Sequence, residues 1–188
     1  GPLVSAALVG VLFVLASELL PLPSAAAVTV IAALGSPIWS TLSRAMSSHT
    51  WHALLLALVA FEMLSAARHG RAVRASAIAT LLAWAYLSRP ATSIVIAAVT
   101  VWMLLRHPRG FAVYAVTGAC WAALFFAYSW LQFGTWLPAY YRLTATMSPH
   151  WMLPSAAGLL FSPSRGLFVY SPLVLRVGWI AVRHRRTL

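Results

Sequence analysis

The sequence predicts an all-α protein, a polytopic bundle of transmembrane helices, from its composition, its hydropathy pattern and its charge distribution. Apolar residues make up 62% of the 188 residues and charged residues 8%, whereas a soluble domain carries about 25% charged residues. The mean hydropathy of +0.85 leaves too little polar surface to keep a globule in water. The apolar residues form long runs without period-2 alternation, so the spanning structure is a helix and not a β-barrel strand.

The positive charge comes from thirteen arginines, because the chain has no lysine, no aspartate and only two glutamates. Eight arginines lie in three short gaps between apolar runs, a pattern typical of cytoplasmic loops. Because they flank apolar runs, we expect no nucleic-acid partner in spite of the net charge of +11. The three clusters are Arg68/Arg71/Arg74, Arg106/Arg109 and Arg183/Arg185/Arg186.

Seven apolar runs predict about seven membrane segments in a single transmembrane domain. Pro21-Leu22-Pro23 separates the first two, arginine clusters follow the third and fifth, and Ser88-Arg89-Pro90 separates the fourth from the fifth. Several segments are shorter than the roughly 20 residues that span a bilayer, which indicates helices that stop part-way or hairpins lining a cavity. The segments are residues 3–20, 25–38, 52–67, 75–87, 92–105, 111–131 and 167–182, and the aromatic-rich residues 132–166 form a predicted interfacial outer loop.

The arginine clusters also predict the orientation of the chain. With all three clusters in the cytoplasm, the N-terminus lies outside and the C-terminus lies in the cytoplasm. Arginine without lysine, together with many alanines, is typical of a GC-rich bacterial genome, so the predicted location is a bacterial inner membrane. This topology leaves four arginines on the outer side, namely Arg44, Arg89, Arg142 and Arg165.

The few acidic and imidazole side chains limit the chemistry. Glu18 and Glu62 both map to the cytoplasmic side, where each could serve a proton relay or a cation site. Each could instead extend to the inner membrane interface or pair with an arginine, and we favour these structural roles. His49 and His52 have the i, i+3 spacing of one helix face, but only His150 could join them as a third ligand, so no divalent metal is indicated. We expect Cys120, inside an apolar run, to be a buried thiol.

Arginines on the outer side are candidate phosphate ligands, because a guanidinium binds phosphate through paired, charge-assisted hydrogen bonds. Plain anchoring to lipid headgroups explains them equally well. Arg89 is the most informative of them. Pro90 disfavours helix at Arg89, so the side chain is predicted to project from a bend between two short segments.

Three stretches, in this order, resemble the bacterial integral-membrane glycosyltransferases of the GT-C superfamily, in particular the protein-mannosyltransferase-like branch. They are GSPIWSTLSR at residues 35–44, followed by His49; LSRPAT at residues 87–92; and GLLFSPSRGLFVYSP at residues 158–172. The third stretch is the most specific of them. The resemblance covers most of the chain.

The resemblance implies a multi-helix enzyme that transfers a sugar from a polyprenyl-phosphate donor to an extracytoplasmic lipid, glycan or protein. Arg44, Arg89 and Arg165 would then bind the donor phosphate, and His49 would either orient the acceptor or be structural. Such enzymes carry an acidic residue in the first outer loop, and this chain has no aspartate. We therefore expect a fragment that lacks that loop and the C-terminal region and is inactive alone.

Two other classes of function remain open. A transporter or flippase subunit would use Glu62 as its coupling residue, and a non-catalytic membrane assembly protein would need neither a donor nor a transported substrate.

Overall fold

The computed structural model describes residues 1–35, 38, 48–138, 141, 149–163, 167–170, 175, 179 and 183. These residues form helices and turns without any strand, which confirms the predicted all-α class. The chain divides into two compact units, Gly1–Pro138 and Ala139–Leu188.

The described residues of the first unit contain six α-helices, which correspond to the first six predicted segments. Prolines lie in the first turn of four of these elements, where their missing N–H would have no helical acceptor. Gly134 ends the last helix with a φ of 64°, a left-handed conformation that favours glycine. The elements are α1 (Pro2–Ser17), α2 (Leu22–Leu34), α3 (Ser48–Arg68), α4 (Ala75–Ser88), the 3-10 turn Pro90–Thr92, α5 (Ser93–Arg106) and α6 (Pro108–Phe133).

The second unit contains α7 (Pro149–Phe161) and α8 (Leu167–Tyr170). Helix α7 lies within residues 132–166, the predicted outer loop, and its sequence includes Pro154. Helix α8 begins the predicted segment 167–182, most of which lies outside the described residues.

Helix α4 lies at the centre of the first unit, packed against α3 on one side and α6 on the other. Its buried alanines, Ala75, Ala79 and Ala85, allow neighbouring backbones to approach closely. The largest side chains of this core are fully enclosed, and they include Ile78, Leu82 and Met103. A second cluster, which includes Leu8 and Leu54, joins α1 to α3.

Successive helices run in opposite directions, so the polar groups collect at two ends. The arginine-rich end comprises residues 68–74 and 106–110, and Ala72, Val73 and residues 106–110 line one cavity there. The opposite end holds His49 at the start of α3 and Arg89 after α4, and we call it the His49–Arg89 end.

Glu62 fastens α3 to the start of α4 at the arginine-rich end. Its buried carboxylate accepts two hydrogen bonds from the Arg71 guanidinium, at 2.7 and 2.8 Å. The Arg74 backbone N–H donates to it at 2.9 Å, and Arg74 Nε lies 3.2 Å away. The hydrogen bonds to Glu62 raise the pKa of Arg71, so this guanidinium keeps its charge. Glu62 is therefore paired with arginines, as the sequence led us to expect.

Two helices, α3 and α6, are long and apolar enough to cross a membrane, while α1, α2, α4 and residues 90–106 form shorter apolar helices. Only 6% of the apolar window of α6 is buried inside the protein. Its outward surface carries large apolar side chains, among them Leu124 and Leu131. An exposed apolar surface of this size is typical of contact with a membrane or with another protein surface. The prediction that Cys120 is buried is wrong, because this thiol lies on the exposed surface of α6.

We predict that Glu62→Gln destabilises the protein by about 2–3 kcal/mol, because the two arginines lose a buried, charged acceptor. The free energy of unfolding in mixed micelles measures this effect. Glu18→Gln is the matched control, since the Glu18 carboxylate lies 3.9 Å from both Arg68 and His69. Equal losses in the two variants would contradict a specific role for the Glu62 pairing.

Candidate functional site

The His49–Arg89 end brings together two of the residues that the sequence singled out. Arg89 Nη2 and His49 Nε2 form a hydrogen bond across 40 positions of sequence. Because a guanidinium can only donate, His49 Nε2 must be the acceptor and carries no proton in this contact. Two other predicted phosphate ligands, Arg44 and Arg165, lie outside the described residues.

A bend in the backbone positions Arg89. Helix α4 ends at Ser88, and Arg89 adopts an extended conformation with a φ of −154°, as Pro90 requires of the residue before it. The hydroxyl of Thr92 lies 2.7 Å from the Arg89 carbonyl oxygen and 3.1 Å from the Ala85 carbonyl oxygen, and donates to them. Thr92 is 1% exposed, so these bonds hold the bend from inside the protein.

His52 supports the same bend from α3. Its Nδ1 lies 3.3 Å from the Thr92 hydroxyl oxygen and 3.4 Å from the Ala85 carbonyl oxygen. His49 and His52 thus both face the end of α4, as their i, i+3 spacing predicts. In the part of the chain that the structure describes, no three histidine, cysteine or acidic side chains come together as metal ligands.

Arg89 has an N–H group that the described residues do not satisfy. Its Nε is buried and has no hydrogen-bond partner among them. A buried donor without an acceptor costs about 1–3 kcal/mol. No carboxylate side chain of this protein can supply that acceptor, because the only two, Glu18 and Glu62, are held at the arginine-rich end. The arrangement is suited to an anion from outside the chain.

An apolar cavity of about 410 Å³ lies between α4, α5 and α6. It extends along α4 to Tyr86 and Leu87, which precede Arg89 by three and two residues. Small residues leave the space, and Gly118 on α6 has nothing within 4 Å of the position of a Cβ. We name this space the α4–α6 cavity.

The polar atoms of the α4–α6 cavity walls bind one another. Thr100 Oγ1 lies 2.9 Å from the Tyr114 hydroxyl, and Trp121 Nε1 donates to Thr80 Oγ1 at 3.1 Å. Because these groups are already satisfied, the cavity presents mostly apolar and aromatic surface. It can therefore hold a hydrocarbon chain.

Comparison with protein families, with curated proteins and with solved structures finds no match to this chain. Its function must therefore be inferred from the geometry of the site and from the sequence.

Sequence reasoning missed two parts of the site. Thr92 belongs to the stretch LSRPAT, and its position three residues after Arg89 is the available signal for a hydroxyl that closes a turn. The α4–α6 cavity has no comparable signal, because the residues that line it come from three helices whose packing the sequence alone does not specify.

We predict that Thr92→Val, which keeps the side-chain volume, lowers the stability by about 1–2 kcal/mol because the buried bend loses the hydrogen bonds of the Thr92 hydroxyl. Thermal unfolding in detergent measures the change. Thr117→Val on α6 is the control, since no hydrogen bond of this hydroxyl is found in the described part of the chain. A Thr92→Val protein as stable as the control would show that the hydroxyl does not hold the bend.

Proposed function

We propose that this chain is part of a multi-pass bacterial inner-membrane glycosyltransferase of the GT-C type. It would transfer a sugar from a polyprenyl-phosphate donor to an extracytoplasmic acceptor. The observation that carries the proposal is the position of Arg89. The N–H at its Nε is buried and unsatisfied among the described residues, and the chain has no acidic side chain to spare for it. Tyr86 and Leu87, which line the apolar cavity, precede Arg89 by three and two residues.

The proposed orientation places the arginine-rich end in the cytoplasm. Of the described arginines in residues 1–138, five lie at that end and only Arg89 lies at the other. The positive-inside rule then puts Arg89 on the outer side. Helix α1 runs toward the arginine-rich end, where Glu18 approaches Arg68, and this direction supports an N-terminus outside. The proposed bundle would have about seven membrane spans in total, several of them short.

The donor would bind in two parts. Its prenyl tail would occupy the α4–α6 cavity, whose walls are apolar and aromatic. Its phosphate would receive hydrogen bonds from Arg89, with Arg44 and Arg165 as further proposed ligands. Burial of Nε strengthens a charge-assisted bond at that atom because little water competes for its N–H.

Sugar transfer would break the bond between the anomeric carbon and the phosphate oxygen, and would form a bond from that carbon to the acceptor oxygen. Negative charge develops on the leaving phosphate, where Arg89 would stabilise it. His49 would position Arg89 by accepting its hydrogen bond. The acceptor proton would pass to an acidic side chain outside this chain, because neither glutamate lies at this end.

The contacts of Glu62 disfavour a transporter that couples through this residue. A coupling carboxylate must gain and lose a proton, whereas Glu62 accepts two hydrogen bonds from Arg71 and one from the Arg74 backbone. An assembly protein, in turn, would have no use for a buried, unsatisfied guanidinium N–H such as that at Arg89 Nε.

We predict that Arg89→Gln weakens binding of a polyprenyl-phosphate sugar by the purified chain at least tenfold, because the phosphate loses its charged donor. In the complete enzyme, transfer should fall by about 10²–10³-fold. Arg68→Gln is the control, because it removes the same charge at the arginine-rich end. Unchanged donor binding by Arg89→Gln would refute the phosphate role.

We predict that Gly118→Leu, which fills the α4–α6 cavity, weakens binding of the long-chain donor but not of a short-chain isoprenyl phosphate. Gly10→Leu on α1 is the matched control, because a Cβ at Gly10 also meets nothing within 4 Å. Lipid-binding measurements with both phosphates separate the tail site from the phosphate site. If the Gly118→Leu protein and the Gly10→Leu protein bound the long-chain donor with equal affinity, the cavity would not be the binding site of the prenyl tail.

A further inference from the structure

The two arginine clusters at the arginine-rich end differ in their charge balance. Arg71 and Arg74 pair with Glu62, and Arg68 lies 3.9 Å from Glu18. Both acidic side chains of the protein therefore already lie beside arginines, since the sequence contains only these two. The α5–α6 junction therefore has no acidic side chain left to neutralise it.

Arg106 and Arg109 flank that junction, and both are exposed. Neither makes an ion pair within the described residues, and no third acidic side chain exists elsewhere in the sequence. Three cationic or ionisable groups, Arg106, His107 and Arg109, thus lie within four consecutive residues without a side-chain counter-ion. Their counter-ion must come from solution or from the membrane.

These residues line a cavity of about 440 Å³. The cavity is also lined by Ala72 and Val73, from the turn before α4, and by Pro108 and Gly110 at the start of α6. A volume of this size is well above the roughly 30 Å³ that one water molecule occupies in the liquid, so it has room for a phosphate with its ester substituents. We name it the α5–α6 junction cavity.

The neighbouring side chains place this cavity at the depth of lipid headgroups. Leu104 and Leu105, just before Arg106, are exposed apolar side chains suited to the hydrocarbon region. The ring of Trp102 packs against His107 with centroids 4.6 Å apart, and tryptophan is typical of the membrane–water interface. Over six residues, the chain passes from lipid-facing leucines to solvent-facing arginines.

We propose that the α5–α6 junction cavity binds the phosphate headgroup of an anionic phospholipid of the cytoplasmic leaflet. Arg106 and Arg109 donate hydrogen bonds to the phosphate oxygens, and the acyl chains lie along the exposed leucines of α5. Free phosphate shares the charge but lacks the acyl chains that would use this apolar surface. The proposal depends on the membrane location and is independent of sugar transfer.

The test measures lipid binding by the 188-residue chain, purified in a neutral detergent and analysed by native mass spectrometry. The probes are phosphatidylglycerol, phosphatidylcholine and inorganic phosphate. We expect phosphatidylglycerol to bind more tightly than the other two, and Arg106→Gln and Arg109→Gln each to weaken it about fivefold. Arg68→Gln, at the same end but close to Glu18, should change this affinity less than twofold.

Thermal unfolding without added lipid shows whether each variant is folded, and we expect no change because Arg106 and Arg109 are exposed. Equal binding of phosphatidylglycerol and phosphatidylcholine would overturn the proposal. So would an equal loss in Arg68→Gln, which would indicate a diffuse positive surface. If inorganic phosphate bound as tightly as phosphatidylglycerol and competed with it, the ligand would be a soluble anion and not a lipid. That result would also overturn the proposal.

Discussion

The bonds from Arg71 and Arg74 to Glu62 are the interaction on which the rest of the structure depends. They join the end of α3 to the start of α4, the helix at the centre of the first unit. They also consume one of only two acidic side chains. Because Glu18 lies at the same end, 3.9 Å from Arg68, three described arginines, Arg89, Arg106 and Arg109, have no acidic side chain paired with them.

This shortage of carboxylates gives the two ends different chemistry. At the arginine-rich end, Arg106 and Arg109 remain exposed beside a cavity, where headgroup phosphates of the cytoplasmic leaflet are the nearest abundant anions. At the His49–Arg89 end, Arg89 is partly buried and its Nε has no hydrogen-bond partner among the described residues. A buried guanidinium discriminates more strongly than an exposed one, because water competes less for its hydrogen bonds.

The His49–Arg89 end is held by short-range geometry that a change of one residue can disturb. Pro90 forces the extended conformation at Arg89, the Thr92 hydroxyl closes the turn, and His49 accepts from the guanidinium. The α4–α6 cavity approaches this bend because Tyr86 and Leu87 belong to the last turn of α4. A ligand that combines a long hydrocarbon chain with a phosphate would use both features at once.

The sequence by itself determined the helical class, the first six helices and the bend at Arg89, because these follow from apolar run length, arginine gaps and the constraint that proline places on its neighbour. It also indicated that Glu62 pairs with arginine, since an intramembrane carboxylate is costly alone. Only the tertiary structure decided which arginine meets His49, which face of α6 leaves Cys120 exposed, and where the two cavities lie. Those features depend on the packing of helices that are distant in sequence, and local propensity does not specify such packing.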